Sequence, residues 1–300
     1  MTADQRPLVR RLRDAVEPVA ANVYFAPEVH RAYADLGFGG SSANIDGVEM
    51  PDGVAYFTSR GACLGEVPGE VVAAGFGVFN PEVVVAAVTA GKGVAERAEV
   101  LQARADGATA SLRRLLDAPP DELARATELL GRAAEVAEYA GRGLSSGLRS
   151  LDVPDGAVGA LWRAADIVRE HRGDNHILAW TAAGLDPVEI GLLTELYWGM
   201  PLKTYVRTRA WSADQLDAGI ERLSSRGLIA DGGFTEAGRQ LREEVESTTD
   251  RLTQPLVDAM GDDSGELVEQ LAAWSARIVE GHGYPSGARG ILSDQASGES

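Results

Sequence analysis

Apolar residues recur at three- and four-residue intervals through most of this chain, the spacing of helices that bury one face. Leu8 to Tyr33 predicts a helix that ends near Gly37-Phe38-Gly39-Gly40. Gly39 to Gly53 is rich in Gly, Ser and Asp and predicts a loop. Val54 to Asn80 predicts one or two short helices broken at Gly61, Gly65 and Gly69. Asn80 as cap and Pro81 in the first turn open the next helix, which runs through Val88. Two long helices follow, near Ala95 to Leu116 and Asp121 to Ala140, separated by Pro119-Pro120. Gly141 to Gly156 is rich in Gly, Ser and Pro, which predicts a helical domain over residues 1–145 and a second domain over 151–280. Helices from Ala157 to Ala183 and from Glu266 to Glu280, the latter capped by Ser264, and a flexible Gly/Ser tail over 281–300 complete the pattern.

Between those last helices the signals change. Ser212-Ala213-Asp214-Gln215 is a capping box, followed by Leu216, Ile220 and Leu223 at helical spacing. Gly227 stops that helix, and Leu228-Ile229-Ala230, the turn Asp231-Gly232-Gly233 and Phe234 predict a short hairpin. Thr235 caps a further helix through Arg239. Helix, reader helix, hairpin and helix make a winged helix. The expected fold is therefore mostly α, a helical N-terminal domain packed on a winged-helix domain, with strand only in the short β-hairpin wing.

The presumed reader helix carries acid where a DNA reader carries base. Asp214, Asp217 and Glu221 fall within roughly 60° of one another on a wheel of about 100° per residue, opposite the Leu/Ile stripe. Across residues 186–250 seven bases face twelve acids, and the whole chain has a net charge of −17. DNA affinity comes first from cations that neutralise phosphates, so DNA is a possible partner that charge disfavours. Lys203, Arg207 and Arg209, with Arg222 and Arg226 flanking the reader helix, are the candidate phosphate contacts.

The sharpest chemical signal lies in the helix from Ala157. Ala160, Leu161, Ala164, Ala165, Ile167 and Val168 form an apolar stripe that Leu178, Ala179 and Ala182 resume. His171, Arg172, Asn175 and His176 interrupt it, with Asp174 just outside it, while Arg163, Asp166 and Glu170 are expected on the solvated side. Buried polar groups cost about 1–3 kcal/mol each unless satisfied, so this belt is either an internal network or a ligand site. In a ligand site Arg172 holds an anion, His171 or His176 moves a proton, and Asp174 fixes a tautomer. A metal is not expected, because His171 and His176 are five residues apart, about 140° on the wheel.

Arg60, Tyr24, Phe25, Phe76 and Phe79 are candidates for the ligand-contacting wall, with plain core as the competing reading for the aromatics. Gly61, Gly65 and Gly69 form no phosphate loop, and no cofactor is expected. Cys63 is the sole cysteine, so an intrachain disulfide is excluded. No apolar run approaches the roughly 20 residues of a membrane span, which predicts a cytoplasmic protein without a membrane partner.

Several runs carry a resemblance: Tyr24-Phe25-Ala26-Pro27-Glu28, Arg60 through Gly65, Phe76 through Pro81, Arg169 through His176, Trp211 through Leu223 and Phe234 through Arg239. They resemble an actinobacterial helix-turn-helix family over residues 8 to 280, with the His-Arg-Gly-Asp-x-His run as its most specific mark. The C-terminal half is similar to MarR-type regulators, dimeric winged helices that often bind small phenolic or lipophilic ligands. The resemblance implies a winged helix packed on an N-terminal helical domain and supplies no catalytic residues. A homodimer that holds a small molecule on a repurposed winged-helix scaffold, with acid/base assistance from the belt, is the leading expectation. A ligand-responsive DNA-binding regulator and a structural protein are the alternatives.

Overall fold

The structure, a computed structural model, describes residues 6–286 and is mostly helical. Its first helices are α1 (Leu8–Ala21) and α2 (Pro27–Asp35), not one continuous helix. Pro27 is the cause: the residue before a proline is pushed out of the helical region, and Ala26 is extended with ψ 125°.

The expected loop after α2 is a second hairpin. Strands β1 (Ser41–Ile45) and β2 (Val48–Pro51) pair antiparallel, with Ile45 opposite Val48. Asp46 and Gly47 turn it with φ of 50° and 84°, the left-handed pair that a two-residue type I′ turn requires. Strand is thus not confined to the C-terminal hairpin. The Asp-Gly signature was there in the sequence, but the polar flanks Ser41-Ser42 and Asn44 hid the alternation.

Helices α3 (Gly53–Gly61), α4 (Gly69–Phe76), α5 (Pro81–Gly91), α6 (Arg97–Leu116) and α7 (Pro120–Val136) follow the sequence pattern closely. Asn80 caps α5 as expected, its Oδ1 accepting from the Glu82 N–H at 3.1 Å. A short helix, α8 (Gly143–Arg149), occupies the Gly/Ser-rich stretch. Next come α9 (Gly156–Ala182), α10 (Pro187–Tyr197), α11 (Ala213–Ser225), β3 (Ile229–Ala230), β4 (Gly233–Phe234), α12 (Glu236–Met260) and α13 (Ser264–Glu280). The capping box of α11 forms, and Asp231 and Gly232 turn the β3–β4 hairpin with φ of 52° and 74°. Ser264 does not cap α13 but starts it, buried, after Asp263.

Buried apolar side chains form two clusters. The larger draws on α1 to α9, the C-terminal end of α12 and α13, and encloses Trp162 and Trp274. The smaller joins the end of α9 (Ala179, Trp180) to α10, α11, β3 and Val245 of α12. Helix α9 passes through both and packs on α1, α6, α7, α8 and α12. This all-round packing overturns the expected solvated side: Arg163, Asp166 and Glu170 are buried. Among the described residues no single helix is long and apolar enough to cross a membrane. Of the expected tail, residues 287–300 lie outside the described residues, while Tyr284 packs on Phe25.

Candidate functional site

Between the two clusters lies a cleft of about 460 Å³. Helices α1, α3, α9 and α12 supply its charged wall, and Phe76, Phe79, Trp198, Tyr205 and Tyr284 supply aromatic surface. Six arginines line it (Arg13, Arg60, Arg169, Arg172, Arg209 and Arg242) against four carboxylates. A chain of net charge −17 therefore concentrates cations at its interior cleft.

Glu170, near the middle of α9, organises one wall. It accepts from Arg60 Nε and Nη2 at 2.9 and 2.8 Å and from Arg169 Nη1 at 2.7 Å. Burial alone would raise its carboxyl, but Arg60 and Arg169 bring it down to about 2. Arg60 also lies over the Phe76 ring at 4.5 Å. Beneath this wall Arg104 donates to Tyr24 Oη at 3.2 Å and to Asp166 at 3.0 Å, so Tyr24 is a core residue behind the cleft.

Glu246 on α12 organises the opposite wall. It accepts from Arg172 at 2.8 Å and from Arg242, one turn away, at 3.0 Å. Burial opposes ionisation, yet these two guanidiniums hold its carboxyl at about 2. His176 Nδ1 sits 3.2 Å from Thr249 Oγ1, whose single proton is donated to the Val245 carbonyl at 2.8 Å. The histidine is therefore the donor, leaving Nε2 as an acceptor. Burial, reinforced by Arg242, lowers the His176 pKa to about 3, so the ring is neutral near pH 7.

The rest of the polar belt points away from the cleft. His171 Nδ1 accepts from Asn175 Nδ2 at 3.2 Å, and Asn175 Oδ1 accepts from Arg142 Nε at 2.6 Å. Burial, with Arg142 and Arg149 nearby, lowers His171 to about 4. Asp174 does not orient an imidazole: it accepts from the backbone N–H and the hydroxyl of Ser145, both at 3.0 Å. Burial raises its carboxyl to about 6 despite those bonds. The belt thus divides, with Arg172 and His176 on the cleft and His171, Asp174 and Asn175 hydrogen-bonded among themselves or to neighbours on α8 and α12. Among the described residues no group of three or more His, Cys, Asp or Glu is placed to hold a metal ion. Cys63 is buried, which pushes its thiol up to about 12.

The five candidate phosphate contacts also divide. Lys203 is ion-paired to Asp217 of α11 itself. Arg222 and Arg226 pair with Asp186 and Glu189 at 2.6 and 2.9 Å. Arg207 is exposed. Arg209 turns inward onto the cleft, between Phe79 and Tyr205. Of the expected ligand contacts, Arg60, Arg172, Phe76 and Phe79 line the cleft, whereas Phe25 packs outside it on Tyr284. Sequence reasoning missed Arg13, Arg169, Glu170, Arg242, Glu246 and Tyr205. The i, i+4 spacing of Arg242 and Glu246 was a readable signal for an internal pair.

Fold and site together define a mostly helical protein with an arginine-lined cleft between two apolar cores. The chain belongs to a helix-turn-helix family, whose model matches residues 9–285. No curated protein and no solved structure matches it significantly.

Proposed function

We propose that this is a small-molecule-binding protein on a winged-helix scaffold, with an anionic ligand held in the cleft. The observation that carries the reading is the six-arginine lining of a cavity of about 460 Å³ in a chain of net charge −17. Such a volume suits a drug-sized molecule, and apolar walls with a few convergent charges are the usual composition of a ligand site. The order α10, α11, β3–β4 and α12, with α11 capped and the hairpin tight, supports the winged-helix scaffold. With His176 neutral and His171 facing away, the site's resources suit binding by charge, not proton transfer.

Thermal unfolding against a panel of small carboxylates and phosphate esters tests this, in the wild type and in Thr194→Trp, which fills the cleft. A compound that raises the midpoint of the wild type alone supports the reading. A panel that shifts both proteins equally, or neither, sinks it.

The second reading, a ligand-responsive DNA-binding regulator, is favoured by membership of a helix-turn-helix family. Against it stand the exposed Asp214, Asp217 and Glu221 on α11 and the acid partners of Lys203, Arg222 and Arg226. Sub-micromolar duplex binding that weakens steeply with salt would establish it.

A further inference from the structure

Five of the six cleft arginines already have carboxylates. Arg13 pairs with Asp14, Arg60 and Arg169 with Glu170, and Arg172 and Arg242 with Glu246. Among the described residues Arg209 has none within 4.0 Å; its side chain donates only to the Tyr205 hydroxyl. The guanidinium instead rests against two rings, its Cζ 4.7 Å from the Phe79 centroid and 4.5 Å from that of Tyr205. Its backbone is pinned as well, the Arg209 carbonyl accepting from the Asn80 N–H at 2.9 Å. This cation is preorganised, and no anion answers it.

We infer that Arg209 is the anion anchor of the cleft and that the ligand is an aromatic monocarboxylate. The inference rests on the ligand-binding reading above and names the class of molecule bound. A planar guanidinium takes a planar carboxylate through two parallel N–H···O bonds. One uncommitted guanidinium calls for one negative charge, which disfavours dianions such as phosphate monoesters. Beside the anchor, Trp198 stands edge-on to Tyr205 at 5.0 Å and Phe79 closes the other side, surfaces on which an aromatic ring stacks or meets edges. Burial, with Arg60 and Arg169 nearby, brings the Arg209 pKa down to about 10, the mark of a cation lacking its counter-ion.

The test uses the full chain and two probes of one shape, 2-naphthoate and its neutral carboxamide, titrated into the wild type, Arg209→Gln and Arg209→Lys. In the wild type 2-naphthoate binds at least about tenfold tighter than the carboxamide, the discrimination expected of a charge-assisted pair. In Arg209→Gln the naphthoate affinity falls by about tenfold to a hundredfold while the carboxamide affinity holds. Equal affinities in the wild type, or a preference that survives Arg209→Gln, overturn the anchor and leave the cleft a ligand site. Binding of neither probe overturns the anchor and the ligand-binding reading together. Should Arg209→Gln lose the carboxamide through misfolding, Arg209→Lys decides: a weakened naphthoate preference supports the anchor and an unchanged one overturns it.

Discussion

Arg60 and Glu170, 110 residues apart in sequence, meet in a two-pronged pair with contacts of 2.9 and 2.8 Å. The pair ties α3 to the middle of α9 and is nearly closed to water. Removing one partner of a buried pair strands the other charge, at a cost of about 3–5 kcal/mol. Glu170→Gln strands Arg60, while Arg169 keeps its two bonds to Glu17; it should cost more than Arg60→Met, which leaves Glu170 paired with Arg169. Chemical denaturation of the two variants measures the order.

Stability should also fall on acidification before most carboxylates titrate. His171 and His176 have folded pKa values of about 4 and about 3, well below the ordinary histidine value of about 6.5. Between roughly pH 6.5 and 4 the unfolded chain therefore binds more protons than the folded one, and each histidine contributes about 1.4 kcal/mol of lost stability per pH unit. Asp174, raised to about 6, opposes this in part, because its folded form takes up a proton that the unfolded form releases above pH 4. Replacing His171 with Gln should flatten the dependence of the unfolding midpoint on pH in this window; a slope identical to wild type refutes the assignment.

The β3–β4 hairpin rests on a glycine. A Cβ at Gly238 would stand 1.8 Å from the Leu228 carbonyl oxygen, which is backbone and has little freedom to yield. Gly238→Ala should destabilise the chain by about 1–3 kcal/mol, the range for forced overpacking, while Gly265→Ala, with open space around it, should be near neutral. Thermal unfolding of both variants checks the contrast.

Charge governs the DNA question in a way that can be reversed by design. Wild type should show no measurable affinity for random duplex at low salt. Changing Asp214, Asp217 and Glu221 to Lys, all exposed on α11, should create binding that weakens as salt rises. Tight binding by wild type would move the conclusion to the regulator.

The linkage between the cleft and α11 is equally testable. Trp211 Nε1 donates to the Val78 carbonyl at 2.9 Å, and Asn80 Nδ2 donates to the Ala210 carbonyl at 3.1 Å, so the turn before α5 grips the residues that enter α11. Asn80→Ala loses this bond and the α5 cap, together about 1–2 kcal/mol. Hydrogen exchange at the start of α11 should quicken with it.

The helices, their caps and the C-terminal hairpin were legible because each rests on local chemistry: Ser212 and Gln215 bond one another whatever surrounds them. The first hairpin uses the same Asp-Gly turn but was masked by polar strand residues. Partners were not legible. A helical wheel presumes one wet face, and the middle of α9 has none, so of the residues read as solvated Glu170 organises a wall of the cleft and Asp166 lies beneath it. Asp174 looked like a partner for His171 by spacing, but it found the start of α8, whose position no local pattern gives. Arg209 read as a phosphate contact because its neighbours in sequence are basic; only the fold turns it towards Phe79.

The place of α13 bears on how the chain acquires its structure during synthesis. Trp274 is wholly buried in the larger cluster, against elements made more than a hundred residues earlier. Until α13 has left the ribosome, α1 keeps an apolar face with nothing to cover it, since α1 and α13 pack directly on each other. The nascent chain therefore carries exposed hydrophobic surface through nearly its whole translation, the condition under which chaperones are recruited.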